Sequence, residues 1–82
     1  MASLQYVIDT ICTSLTVESM YALIRTRLGQ GAFSVEEVLP SIQSKDRSLD
    51  SASARTLAET ALEALAQRGE IRVEEDQIFP VG

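Results

Sequence analysis

The sequence predicts an α+β domain, mainly helical, that closes with a C-terminal β-hairpin. Three observations carry this. The last third of the chain reads as one long amphipathic helix over residues 52–67, a glycine stop at Gly69, and two short strands around a polar turn. Upstream, Phe33-Ser34-Val35-Glu36-Glu37-Val38-Leu39 is a compact helix-start signal. At the N-terminus, Leu4, Val7, Ile8, Ile11, Cys12 and Leu15 recur at helical spacing and predict an additional helix.

Each element has a local cause. After the first stripe, Thr13 and Ser14 interrupt, and Thr16 is placed to cap a second helix over residues 17–28, with Val17, Met20, Tyr21, Ile24 and Leu28 on one face. Gly29-Gln30-Gly31 ends it, because glycine tolerates the positive φ at which chains reverse. Ser34 and Glu37 have the spacing of a capping box, and Phe33 and Val38 that of a hydrophobic staple. Pro40 removes a backbone donor and disfavours helical geometry at Leu39, so this helix is expected to be short or kinked, resuming to about Ile42. A polar connector follows over residues 43–50. Asp50 or Ser51 then caps the long helix, whose apolar positions are Ala54, Leu57, Ala58, Ala61, Leu62, Leu65 and Ala66. Ile71 and Val73 alternate with Glu70, Arg72 and Glu74, the period of a half-buried strand. Glu75-Asp76-Gln77 forms the turn, and Ile78, Phe79 and Val81 return, with Pro80 restricting that strand to an edge or its end. A third short strand is expected near Ala32-Phe33.

Length and composition bound the rest. Eighty-two residues make one domain. With two Tyr, two Phe and no Trp, the core must be mostly Leu, Ile, Val and Ala. No apolar run reaches the roughly 20 residues that span a bilayer, and Met1-Ala2-Ser3-Leu4-Gln5-Tyr6 has no basic stretch of a secretory signal. Cys12 is the lone cysteine, which leaves no internal disulfide or zinc set and, by default, a cytoplasmic location; on its stripe it is expected to be a small buried hydrophobe. The net charge is −5, the opposite of the surplus that phosphate backbones select.

The order second helix, short helix, long helix and hairpin resembles the winged helix-turn-helix superfamily. The matching stretches are residues 16–28, 33–42, 50–68 and 70–81, and Leu62-Glu63-Ala64-Leu65-Ala66-Gln67-Arg68-Gly69-Glu70-Ile71 looks like the junction from recognition helix to wing. The whole chain, 1–82, is then a single winged helix-like domain: residues 1–15 are the additional helix and 16–82 the core. Pro40 and the long connector depart from the family pattern. The resemblance implies DNA reading by the start of the third family helix. That nominates Ser51, Ser53, Arg55 and Thr56, with Lys45 and Arg47 in the connector; Arg25 and Arg27 on the helix over residues 17–28 are candidates to contact phosphate or an acidic partner.

Charge weighs against that implication. Lys45, Arg47 and Arg55 are offset by Asp46 and Asp50, a local balance of +1, and Arg72 in the wing stands against Glu70, Glu74, Glu75 and Asp76, a balance of −3. Such a wing repels phosphate. The first stripe, Leu4, Val7, Ile8, Ile11 and Leu15, packs either on the domain or on a second copy as a dimer interface. No enzyme is expected: the chain has no His, Gly29-Gln30-Gly31 lacks the rest of a nucleotide fingerprint, and no Ser sits in a nucleophile elbow. Glu74-Glu75-Asp76 matches no metal-binding loop, so no metal, cofactor or small-molecule substrate is expected. The expectation is a non-enzymatic interaction module with a protein partner or a homodimer and no membrane, the alternative being a DNA-binding transcriptional regulator.

Overall fold

The computed structural model describes residues 3–81. It is α+β, with four helices and a three-stranded antiparallel sheet: α1 (Leu4–Ile11), α2 (Val17–Leu28), β1 (Phe33–Ser34), α3 (Val35–Lys45), α4 (Ser51–Gln67), β2 (Ile71–Glu74) and β3 (Gln77–Pro80). The strand order is β1-β3-β2. The expected third strand is present, pairing Phe33 with Ile78 and Ser34 with Gln77, and the Val35 amide extends it by donating to the Asp76 carbonyl at 3.3 Å. The result is a winged helix-like arrangement with an added N-terminal helix. Among the described residues no helix is long and apolar enough to cross a membrane.

α4 is the axis of the fold. It packs on α1, α2, α3 and β2, and its inward face, Ala54, Leu57, Ala58, Ala61, Leu62 and Leu65, is buried. Alanine favours the helix and, being small, lets three other helices approach its backbone. Around it sit Met20 and Ile24 of α2, Val38 and Ile42 of α3, and Phe33 and Ile78 of the sheet. The termini are set locally. Ser3, Thr16 and Asp50 accept the amides of Tyr6, Ser19 and Ser53. Glu37 Oε2 reaches back to the Ser34 amide at 2.7 Å, and Phe33 and Val38 are both buried at that helix start.

Several expectations are corrected. The first helix ends at Ile11 rather than at residue 15, and residues 1 and 2 lie outside the described residues. The cause is tertiary: Thr13 Oγ1 donates to Asp46 Oδ2 at 2.7 Å and accepts the Leu15 amide at 3.2 Å, so Leu15 enters the core from a loop. Cys12 is not a core residue. It stops α1 in the left-handed region, with φ 61°, and its thiol is exposed. Leu4, Val7, Ile8 and Leu15 are buried within the single chain and Ile11 is partly buried against the same core. That stripe is therefore spent on the molecule's own core and is not an open apolar dimer face.

Pro40 neither shortens nor divides α3, which runs through it to Lys45. The donor it lacks would have served the carbonyl of Glu36, and both residues are solvent-exposed, so that carbonyl lies on the outer face, where no buried polar group is left unmatched. The connector consequently shrinks to residues 46–50, nearer the short turn of a helix-turn-helix than expected. The hairpin turn is Glu75-Asp76, with Gln77 already in β3 and Glu75 at φ 55°. Ile71 is buried, but Val73, nearer the turn, is 42% exposed.

Pro40→Ala restores one helix hydrogen bond, worth up to about 3 kcal/mol in a helix interior, less about 1 kcal/mol for the looser unfolded chain. The substitution is expected to stabilise the protein by about 2 kcal/mol. A rise in the urea midpoint with an unchanged slope is the expected reading; a fall would show that Pro40 is held by contacts the helix ladder does not supply.

Candidate interaction face

The residues nominated for DNA reading do not converge into one basic surface. Arg25 donates to both carboxylate oxygens of Glu70, at 2.9 and 3.0 Å from its terminal nitrogen, with Nε at 3.1 Å. Arg27 donates to Glu37 Oε1 at 2.9 Å. Arg55 is bonded to Glu36 and lies 3.7 Å from Glu59. Each of the three arginines is thus closed by a carboxylate on another element. Arg25, on α2, pairs with Glu70 just beyond the C-terminal end of α4, whereas Arg55 lies in the second turn of α4, near the opposite end of that helix.

At the start of α4 the polar groups are likewise committed. Asp50 accepts the Ser53 amide at 2.7 Å, which holds its carboxyl below the usual range. The same carboxylate occupies the position at which a helix N-terminus would hold a phosphate. Thr56 turns its hydroxyl back to the Ala52 carbonyl at 3.0 Å. Ser51 is exposed. Lys45 and Arg47 are exposed and, among the described residues, form no ion pair. Two cations flanking Asp46 are what remains of the expected basic patch.

Around Arg55 the surface is acidic. Glu36 at the start of α3, Glu59 one turn along α4, and Asp76 at the wing tip all act on its guanidinium and raise its already high pKa, the Glu36 bond most strongly. Glu63 lies one further turn along the exposed side of α4, and Glu75 is exposed beside Asp76. The outer face of α4 and the wing tip therefore present Glu36, Glu59, Glu63, Glu75 and Asp76 around one arginine. Among the described residues no three His, Cys, Asp or Glu converge as a metal set. An open groove of about 550 Å³ between α2 and α3 has Leu15, Leu23 and Val38 at its floor and Ser19, Ser41 and Lys45 at its rim. Its lining includes no carboxylate or thiol.

Sequence reasoning missed the partners rather than the arginines. Glu70 lies 45 residues from Arg25 and also approaches Arg68 at 3.8 Å. Tyr21 lies between those two guanidinium groups, at 5.6 and 5.1 Å from its ring centre. No local spacing announces such pairs. Asp46 was legible in part: Ser48 two residues on marks an Asx turn. Its carboxylate accepts the Ser48 hydroxyl and amide, the Thr13 hydroxyl and the Ser14 amide, and so ties the α1–α2 link to the α3–α4 turn.

Those four bonds, led by the Ser48 hydroxyl, hold the Asp46 carboxyl far below its ordinary value of 3.8. The sign follows from linkage: the unfolded chain takes up a proton near pH 4 that the folded chain refuses. The stabilisation is present above that pH and is lost as the pH falls further. Asp46→Asn is expected to lower stability at pH 7 and to flatten the decline below pH 4, measured by thermal unfolding across the acid range. An unchanged acid limb would remove Asp46 as the tie.

Comparison with protein-family models, with curated proteins and with solved structures finds no match for this chain.

Proposed function

We propose that this chain is a non-enzymatic protein-interaction module of the winged helix-turn-helix superfamily, and that it docks a basic partner surface on the acidic face formed by α4 and the wing tip. One observation carries the reading. Arg25, Arg27 and Arg55 are each closed by a carboxylate, while Glu63, Glu75 and Asp76 stay exposed on the side where DNA would approach. A phosphate backbone meeting this face would have to displace Glu36 from Arg55 and approach the acids around it. A lysine- or arginine-rich protein surface meets complementary charge without rearrangement, which favours both encounter rate and orientation.

The test is fluorescence anisotropy with a labelled mixed-sequence DNA duplex and, separately, a labelled Lys/Arg-rich peptide, each at low and at physiological salt. The peptide is expected to bind and to weaken with salt. Glu59→Lys combined with Glu63→Lys is expected to weaken it by roughly tenfold, about 1.4 kcal/mol. Salt-sensitive binding of the duplex that Arg55→Ala diminishes would instead establish the DNA-binding regulator.

A further inference from the structure

β2 is an edge strand, with β3 on one side and no strand on the other. The register decides which of its backbone groups face the open side. In an antiparallel pair, hydrogen-bonded and non-bonded residue pairs alternate. Ile71 is opposite Pro80, which has no N–H, so that pair is non-bonded. Arg72–Phe79 and Glu74–Gln77 are then the bonded pairs and Val73–Ile78 is not. The Val81 amide, donating to the Glu70 carbonyl at 3.4 Å, falls on the same phase. The N–H and C=O groups of Ile71 and Val73 therefore point away from the hairpin; Ile71 is buried and Val73 is 42% exposed, so the open stretch of the edge is at Val73.

The edge is also polarised along its length. At its base, Arg25 and Arg68 both sit on Glu70, leaving a cationic excess. Arg72 follows, and the tip carries Glu74, Glu75 and Asp76. Among the described residues, the exposed large hydrophobic side chains include Val73 of this strand and Val81 just past β3.

We infer that the β2 edge takes the β2 edge of a second copy of this chain, antiparallel, about a two-fold axis at Val73. The charge sequence of the edge favours that occupant: read backwards, it sets Arg72 against Glu74, and the one acidic pair, Glu70 with Asp76, lies beside Arg25 and Arg68. With Val73 opposite Val73 of the second copy, Arg72 stands opposite Glu74 in both directions. Glu75 and Asp76 then stand opposite Ile71 and Glu70 of the other copy, where Arg25 and Arg68 supply the excess positive charge. The two outward Val73 amides exchange hydrogen bonds, and opposite-charge cross-strand pairs flank them. A generic strand meets Arg72 and the acids as mismatched charges, the usual protection of an edge. So short an edge buries much less than a standard interface of about 1,600 Å², so the dimer is weak and concentration-dependent. It goes beyond the proposed docking of a basic partner: it shares Glu75 and Asp76 with that face but leaves Glu59 and Glu63 on the outer side of α4 outside the dimer.

The experiment is a dilution series of the whole protein, from millimolar to low micromolar, by amide NMR with translational diffusion. Expected are concentration-dependent shifts centred on Ile71 and Val73 and slower diffusion at the top of the series. Val73→Pro removes an outward amide and leaves the hairpin's own bonds at Arg72 and Glu74 in place. It is expected to abolish both effects while cross-strand contacts between Arg72 and Phe79 persist. Arg72→Glu alone and Glu74→Arg alone are each expected to lose association, and an equimolar mixture of the two is expected to regain it. Monomeric diffusion at millimolar concentration, association that survives Val73→Pro, or a mixture no better than either variant would overturn the inference. Basic-peptide binding measured at the low micromolar end of the series, where the chain is monomeric, reports the proposed function separately.

Discussion

Everything in this fold leans on the burial of one face of α4. Ala54, Leu57, Ala58, Ala61, Leu62 and Leu65 bring three helices and a strand onto a single helix. Truncating a fully buried leucine such as Leu57 removes transfer energy and opens a cavity, together worth about 2–5 kcal/mol. That is a large share of the stability of a domain this small. The alanines matter as much as the leucines: a larger residue at Ala58 or Ala61, each fully buried, would push a neighbouring helix outward. With so few aromatic residues, close approach substitutes for bulk.

The electrostatics follow from that packing. Closing α2 and α3 around α4 brings Glu70 under Arg25, Glu37 under Arg27 and Glu36 under Arg55. These pairs are partly exposed, and each contributes little to stability. Their effect is on the surface: cations that composition alone would leave for a nucleic acid are covered, and the acids left over gather beside α4 and at the wing. A chain of net charge −5 thus acquires a face more acidic than its average.

Local signals were legible from the residues alone: the helix starts at Thr16, Ser34 and Asp50, the glycine stop after α4, the hairpin, and the short strand at Phe33. What escaped was set by distant partners. Thr13 leaves α1 because Asp46 holds it. Pro40 is tolerated because its missing bond faces water. Cys12 and Val73 obey the right period yet lie at the end of an element or near the hairpin turn, where no facing layer exists. For the interaction face, the residue types and the acidic wing were readable, but the pairing of Arg25 with Glu70 needed the folded chain.

The sheet order has one more consequence. β3 is the central strand, and it follows both of its neighbours in the chain. During synthesis at the ribosome, β1 and β2 emerge with no strand to pair with. The four helices can dock as soon as α4 is out, but sheet assembly waits for residues 77–80. Until then the nascent domain carries Phe33 without its strand partner Ile78 and Ile71 without Pro80, an interval in which it is open to mispairing.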